Sequence, residues 1–319
     1  MYQVITIGSA LVDVFIHTRQ FRVMATDQGD LLCQTHGGKT EVDNFNVYTG
    51  GGAGNTAVGF ARLGFKTATI CETGRDNFSY LVIKDLQDQG VSTELIVSEK
   101  QEQTGGSVVL IGADGERSIL VHRGAAGQLD PFDISAYWLS QAEVVHLSSI
   151  GGNLATLEKI FLGIKKSDNT RLSWNPGKRE LELLSEKKLL IKDIPGDFFI
   201  VNEEEWELVS TCQQELLERV RYVAVTAGAK GGRIYYQGQL ACQFPALSSR
   251  VIDATGAGDA FSVGFVAGIH MGKKIDEAAY MGAYNAASVV SMYGAKSGLL
   301  VREQLDEALA TYDVNVIKG

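Results

Sequence analysis

The sequence predicts an α/β protein whose central, mainly parallel sheet is flanked by helices and accompanied by a small antiparallel β-lid. Three observations support this fold class. Short apolar runs alternate with longer amphipathic runs along most of the chain, which is typical of strand–helix–strand units. Glycine is frequent, with 36 residues, and proline is rare, with 4, as suits tight turns in a folded chain. An Asp-Gly turn between two alternating segments indicates a hairpin outside the parallel core.

The predicted strands of the central sheet are short apolar runs bounded by turn residues. They are Val4–Ile7, Thr67–Cys71, Val144–Leu147, Arg171–Trp174, Phe198–Val201 and Tyr222–Thr226. Helical periodicity falls mostly between them. It predicts helices at Gly54–Leu63, Phe78–Gln89, Leu154–Lys166, Glu203–Val220 with a break near Ser210, Thr255–Gly272 and Ile275–Tyr293. Strands that alternate with helices predict a parallel sheet covered on both faces.

Two segments interrupt this alternation. Val14–Val47 is polar with weak strand patterns, whereas Ser107–Gly112 and Arg117–His122 alternate around an Asp-Gly turn, a sequence suited to a primed hairpin turn. We predict that segments of about 14–48 and 101–127 form one small sheet, a lid over one end of a single domain spanning 1–319. A surface decoration without function is the alternative.

Composition limits the partners and the compartment. The net charge is −9 and no block of basic residues occurs, so we expect no nucleic-acid partner. The four cysteines are far apart in the sequence, which favours reduced thiols in a cytoplasmic protein over a zinc site. We recognise neither a signal peptide nor a transmembrane run, and we expect no membrane partner.

The most specific candidate site is the segment from Asp253 to Asp259. Gly256, Ala257 and Gly258 allow a bound group to approach the backbone, and an apolar helical pattern follows at once. A helix start presents unpaired N–H groups and partial positive charge, which favour an anion such as a phosphoryl group. Asp259 lies beside that position and could accept a proton from an attacking hydroxyl. The alternative is a glycine-rich turn capped by acids.

A second glycine-rich segment includes Gly50, Gly51 and Asn55. Glycine-rich strand–helix turns also bind dinucleotides, but those turns directly follow the first strand. Here the first strand ends near Ile7, far upstream. A P-loop is excluded as well, because Cys33 stands where the first glycine before Gly38-Lys39-Thr40 is required.

Three further sites follow predicted strands. Asp13 lies after the first strand, where it could accept hydrogen bonds from substrate hydroxyls, although a solvated turn aspartate is the alternative. Asn202 and Glu205 are one helical turn apart and could hold Mg²⁺, often through water, or simply cap a helix. A glycine-rich turn suited to the phosphates or ribose of a nucleotide contains Thr226, Gly228 and Gly231.

Taken together, these motifs resemble the ribokinase-like family, the PfkB group of carbohydrate kinases. They occur in the family's order along nearly the whole chain. The matching elements are Gly-Gly-x-x-x-Asn at Gly50, Gly51 and Asn55, Asn-x-x-Glu at Asn202 and Glu205, Thr-x-Gly at Thr226 and Gly228, and Asp-x-Thr-Gly-Ala-Gly-Asp at Asp253–Asp259. The resemblance implies a ribokinase-like fold with a β-lid, and ATP-dependent phosphorylation of a sugar-like hydroxyl.

The resemblance also implies roles for individual residues. Asp259 resembles the catalytic base, and the N–H groups of Gly256, Ala257 and Gly258 resemble the anion hole. Asn202 and Glu205 match the magnesium and phosphate network, while nucleotide contacts are implied for Asn202, Thr226, Gly228 and Gly231. Implied substrate contacts are Asp13, Gly50, Gly51 and Asn55. Many members hold a monovalent cation, K⁺ for example, at the positions of Asp253 and Thr255, with carbonyls near Gly294.

Two departures from the family pattern bear on the substrate. Leu11 stands where ribose-specific members carry an asparagine, and Ser148-Ser149 lies near the place of their glutamate. Both changes remove polar partners for ribose hydroxyls, so we expect a different sugar or a sugar acid. A nucleoside kinase of the same fold is the alternative, and a catalytically silent sugar-binding protein is the third hypothesis. Exposed lid edges also suggest a homodimer formed through the lids.

Overall fold

The computed structural model describes residues 1–27, 29–98 and 101–312. Within these ranges no helix is long and apolar enough to span a membrane. The strands are β1 Tyr2–Ile7, β2 Leu11–His17, β3 Arg22–Thr26, β4 Gly29–Cys33, β5 Asn44–Gly50, β6 Thr67–Ile70, β7 Gly106–Ile111, β8 Arg117–His122, β9 Ala142–Leu147, β10 Arg171–Trp174, β11 Phe198–Asn202, β12 Tyr222–Thr226, β13 Gly232–Tyr236 and β14 Gln239–Phe244. The helices are α1 Gly52–Arg62, α2 Asn77–Asp88, α3 Ala136–Ser140, α4 Leu154–Lys165, α5 Lys178–Ser185, α6 Glu203–Leu208, α7 Gln213–Arg219, α8 Ala257–His270, α9 Ile275–Val289 and α10 Arg302–Ala310.

The central sheet has the strand order β14-β13-β12-β11-β10-β9-β1-β6. All pairings from β12 to β6 are parallel, and the two at the other edge are antiparallel. The prediction of a mainly parallel sheet is therefore confirmed. Because the strands are parallel, β1 and β9 to β12 all end at the same edge, where ligands of such sheets bind.

Apolar side chains cover both faces of this sheet. Neighbouring residues of β1 point to opposite sides: Ile5 belongs to the cluster that contains Phe161 of α4, and Val4 belongs to the cluster that contains Phe265 of α8. On the first side the ring of Trp174 packs 5.2 Å from that of Phe161. Burial on both faces explains why the strands are continuous apolar runs rather than alternating ones.

The predicted lid is one four-stranded sheet with the order β5-β2-β7-β8. The β2–β5 and β7–β8 pairs are antiparallel, and β2 pairs with β7 in parallel. Strand β8 follows the predicted Asp-Gly hairpin. The lid strands extend from Leu11 to Gly50, slightly beyond the predicted limits, and β3 and β4 form a separate hairpin.

A partly buried contact anchors the lid to the rest of the molecule. Thr49 of β5 donates its hydroxyl to Asp85 of α2 at 2.6 Å, and the Lys296 ammonium contacts both groups, lying 2.5 Å from the carboxylate. Burial lowers the pKa of Lys296, and the charge of Asp85 acts in the opposite direction. Residues from the lid, α2 and the segment after α9 thus meet at one point.

Candidate active site

The two predicted glycine-rich segments come together at the carboxyl edge of the central sheet. They open α1 and α8, and these two helices pack against each other. Asn55 of α1 donates its amide to Asp259 of α8 at 2.8 Å. Residues far apart in the sequence therefore form one site, built around the start of α8.

Gly256 shapes the start of α8. It is the N-cap residue and has a φ of 79°, a conformation that glycine adopts without the strain of other residues. A Cβ atom at this position would lie 2.5 Å from the Cβ of Ala295. Helix α8 starts at Ala257, two residues later than the predicted start at Thr255, because residues 253–256 form the turn that precedes it.

The backbone amides at this helix start are mostly unpaired. Among the described residues, no acceptor is found for the amides of Gly256 and Gly258, whereas Ala257 donates to the Ala254 carbonyl at 3.3 Å. A Cβ atom added to Gly258 would meet open space. The predicted anion hole thus has two free donors at Gly256 and Gly258, and the third, at Ala257, is weakly engaged within the turn.

Asp259 is a partly buried carboxylate without a cationic partner among the described residues. Burial raises its pKa to about 6, the hydrogen bond from Asn55 acts in the opposite direction, and the negative charge of Glu205 raises it further. A carboxylate with such a pKa is ionised at neutral pH and basic enough to accept a proton. This arrangement is typical of a general base.

Asp13 lies elsewhere than the sequence suggested. It was expected in the turn after β1, but it belongs to β2 in the lid sheet. Its carboxylate accepts a 2.5 Å hydrogen bond from Ser107 of β7, and burial raises its pKa although that hydrogen bond opposes the shift. The parallel pairing of β2 with β7 explains the position, because a turn residue would have no such neighbour.

Gly50 and Gly51 are glycines for steric reasons. A Cβ atom on Gly50 would lie 2.4 Å from Asp13 Oδ2, and one on Gly51 would lie 2.5 Å from the Ser9 carbonyl oxygen. Gly51 also has a φ of 92°. The chain therefore passes closely between the lid aspartate and the turn after β1, which places the predicted substrate residues side by side.

Two buried polar atoms near Asp259 have no partner among the described residues. They are the side-chain oxygen of Asn55 and the hydroxyl of Ser148. A Cβ atom on Gly52 would lie 2.8 Å from Ser148 Oγ and 3.8 Å from Asp259 Oδ1, so Ser148 and Asp259 both lie close to the Gly52 backbone. Buried polar atoms are normally paired, and a bound ligand would satisfy them here.

The predicted nucleotide turn lines a cavity of about 500 Å³. Thr226, Gly228 and Gly231 form one wall, and Ala257 and Gly258 of the helix start belong to the same lining. The remaining lining is largely apolar and comes from the segment after β14 and from α9. The cavity therefore leads from the glycine-rich turn directly to the free amides of α8.

Asn202 and Glu205 form a reciprocal cap at the start of α6. Asn202 Oδ1 accepts from the Glu205 amide at 2.8 Å, and Glu205 Oε2 accepts from the Asn202 amide at 2.9 Å. Burial raises the pKa of Glu205, and the hydrogen bond from Asn202 opposes this. Asn202 pairs with Thr226 in the sheet, so the cap lies beside the nucleotide turn. The helix cap, which was the alternative to a metal site, is therefore present. Asn202 Oδ1 and Glu205 Oε2 each keep a lone pair that could contact a ligand.

Asp253 and Thr255 already have a positive partner. Arg117 of β8 donates through Nη1 to Asp253 Oδ1 at 2.6 Å and to Thr255 Oγ1 at 3.1 Å. Sequence analysis did not identify Arg117 as a site residue. The only available signal was its place directly after the Asp-Gly turn, since 136 residues separate it from Asp253.

The chain is similar to several kinases in sequence and in structure. It is 29% identical to an uncharacterized sugar kinase from Archaeoglobus fulgidus, over 76% of this chain and 98% of that protein. It is 26% identical to a nucleoside kinase from Methanocaldococcus jannaschii, over 86% of this chain and 89% of that one. The structure of Arabidopsis thaliana ribokinase complexed with ribose and ATP matches with a TM-score of 0.79 at 22% identity, over 98% and 99% of the two chains, which shows a shared fold.

The model of the pfkB family of carbohydrate kinases matches residues 1–301. The match spans both sheets and the start of α8 described above. The chain belongs to the pfkB carbohydrate kinase family.

Proposed function

We propose that this protein transfers the γ-phosphate of ATP to a hydroxyl of a small sugar or sugar acid, with Asp259 as the general base. The observation that carries the proposal is the pairing at the start of α8 of unpaired amides with a partly buried carboxylate that has no cationic partner among the described residues. Such a pair offers a proton acceptor and an anion-binding site within one helical turn. Membership of the family supports the reaction class.

The reaction follows from these positions. The Asp259 carboxylate takes the proton of the acceptor hydroxyl as its oxygen bonds to the γ-phosphorus. The bond from that phosphorus to the β–γ bridging oxygen breaks, and ADP leaves with the electron pair. Amides of Gly256 and Gly258 donate to the oxygens of the migrating phosphoryl group. Preorganised donors of this kind each contribute about 3–4 kcal/mol in comparable oxyanion holes.

We further propose that Asn202 and Glu205 hold Mg²⁺ through water. Their oxygens lie beside the nucleotide turn, and oxygen ligands suit this ion. When bound, Mg²⁺ neutralises charge on the phosphates. Within the described part of the chain no group of three or more His, Cys, Asp or Glu side chains could hold a metal ion. This fits an ion held by few protein ligands together with phosphates and water.

The acceptor would lie between Asp259 and the lid. The polar groups there come from Asp13, Asn55 and Ser148. The side-chain oxygens of Asn55 and Ser148 are buried without a partner among the described residues. Leu11 supplies no polar group. This set favours a compact hydroxylated acceptor other than ribose. The similarity to a nucleoside kinase supports the second candidate, a nucleoside acceptor of the same reaction.

A coupled assay of ADP release across sugars, sugar acids and nucleosides tests the proposal. We expect turnover with one sugar or sugar acid and little with nucleosides. Preferred turnover of a nucleoside would select the second candidate. If no compound is turned over while one binds tightly without ATP, the protein is a silent sugar-binding protein.

One edge of the lid sheet is exposed and apolar. Strand β8 is an edge of the lid sheet and exposes Ile119, Leu120 and Val121, so we propose a homodimer formed through the lids. Light scattering that reports a monomer at assay concentration would contradict the proposed homodimer.

The four cysteines are free, which supports a cytosolic location where thiols stay reduced.

A further inference from the structure

Arg117 connects the lid to the loop that opens α8. It is the first residue of β8, and its guanidinium reaches Asp253 Oδ1 at 2.6 Å and Thr255 Oγ1 at 3.1 Å. The Asp253 side chain is 3% exposed and that of Arg117 is 38% exposed. A buried carboxylate of the loop is therefore neutralised by a cation that the lid supplies.

The coordination of Asp253 leaves little room for a metal ion. Oδ1 accepts from Arg117, from the Thr255 amide at 3.0 Å and from the Thr255 hydroxyl at 2.7 Å. Oδ2 accepts from the Gly294 amide at 3.1 Å. Oδ1 is thus saturated, Oδ2 keeps one of its two lone pairs, and the guanidinium that contacts both Asp253 and Thr255 repels a second cation. The residues present therefore do not fit the monovalent cation that the family resemblance implies at Asp253 and Thr255.

We propose that Arg117 is the resident counter-charge of Asp253 and takes the place of a monovalent cation in this protein. An unpaired buried carboxylate is strongly unfavourable, and a guanidinium stays charged at every physiological pH. The ion pair holds Asp253, and through it the turn that positions the Gly256 amide. If the proposed function holds, phosphate transfer needs no added K⁺.

The surroundings of the pair show what its removal would create. Arg117 and Asp253 line a cavity of about 260 Å³ together with Phe15, His17, Asp114 and Tyr293. Truncation of Arg117 to alanine enlarges this space next to a buried negative charge. A small cation with its water can then enter and restore neutrality.

The test compares thermal unfolding without nucleotide in KCl and in tetramethylammonium chloride at equal ionic strength. We expect the same Tm for the wild type in both salts. Arg117→Ala should have a lower Tm in tetramethylammonium and regain much of the loss in KCl. Arg22→Ala removes an exposed arginine from the β3–β4 hairpin and serves as the matched control, with no difference between the salts.

Activity provides a second readout that rests on the proposed function. With an acceptor in hand, the wild type should turn over at the same rate in both salts. Arg117→Ala should turn over more slowly in tetramethylammonium than in KCl. If no acceptor is turned over, the unfolding comparison still decides the role of Arg117.

Two results would overturn the proposal. One is a wild type whose Tm rises by several degrees, or whose rate rises severalfold, when K⁺ is added at constant ionic strength. The other is an Arg117→Ala protein that responds equally to both salts. If that variant does not fold, Arg117→Lys takes its place in the test, because lysine keeps the charge without the planar fork. The absence of any K⁺ response in Arg117→Lys would support the proposal. A K⁺ requirement in the wild type would refute it.

Discussion

Two aspartates, one before the start of α8 and one in its first turn, lie in opposite environments. Asp253 accepts hydrogen bonds from Arg117, Thr255 and Gly294. Burial alone would raise its pKa, but these bonds together lower it. From the described side chains Asp259 accepts one hydrogen bond, donated by Asn55, and burial raises its pKa to about 6. One carboxylate is held as a fixed charge, and the other remains available as a base.

This difference separates structural from chemical roles within one loop. A desolvated carboxylate that has no cationic partner destabilises the folded state, and such groups are concentrated at functional sites. A carboxylate with several donors stabilises the turn around it. The two aspartates therefore form a matched pair for mutagenesis.

Asp259→Asn should lower kcat by at least about 10²-fold, because the variant cannot accept the proton of the acceptor hydroxyl. The same change removes an unfavourable buried charge and should raise the free energy of unfolding at neutral pH, by at most about 3 kcal/mol. Steady-state kinetics and urea unfolding measure the two effects.

Asp253→Asn is the control for that variant. It breaks the ion pair with Arg117 and should lower the free energy of unfolding, by about 3 kcal/mol if it behaves as other broken buried pairs do. If both variants changed stability in the same direction, the proposed contrast between the two carboxylates would be lost.

Gly256→Ala should lower both stability and kcat. The residue has a φ of 79° and its new Cβ would meet Ala295, so we expect a loss of about 1–3 kcal/mol and a displaced amide in the anion hole. Gly258→Ala is the matched control for stability, since its Cβ meets open space. Equal stability of the two variants in urea unfolding would argue against a strained turn at Gly256.

The pH profile of kcat/KM should show the base directly. Asp259 must be ionised to accept a proton, so activity should fall about tenfold per pH unit below about pH 6 and level off above it. The folded-state pKa lies above the unfolded value of 3.8, so protonation should also stabilise the wild type as pH falls from about 6 toward about 4. If the residual activity of Asp259→Asn still fell at acid pH, the titrating group would be a residue other than Asp259.

Glu205→Gln should produce the smallest change. The charge of Glu205 raises the pKa of Asp259, so its removal should move the acid limb of the profile to lower pH. The reciprocal cap with Asn202 keeps its acceptor in the glutamine side chain, and stability should change little. A midpoint that moves upward would contradict the assigned electrostatic coupling, and a higher Mg²⁺ concentration at half-maximal activity would support the proposed ion site.

Local patterns predicted the central sheet because its strands are buried on both faces. Val4–Ile7 and Tyr222–Thr226 are examples whose apolar runs coincide closely with β1 and β12. The break near Ser210 also separates α6 from α7. The chemistry of Asp253–Asp259 was recognisable because small residues and two carboxylates occur in one uninterrupted segment.

Features that depend on distant pairing were not accessible in this way. Asp13 was assigned to a turn because the pattern of Leu11–His17 is only partly alternating, and its strand is defined by pairing with both β5 and β7. Strands β13 and β14 and helix α10 had no prediction. Arg117 was missed because it lies in the lid, whereas its partner Asp253 lies in the loop before α8. No local pattern encodes that contact.

The most direct test is a crystal structure with a non-hydrolysable ATP analogue and Mg²⁺. The terminal phosphate should lie within hydrogen-bond distance of the Gly256 and Gly258 amides, with the Asp259 carboxylate facing it. A terminal phosphate bound away from the start of α8 would contradict the proposed mechanism.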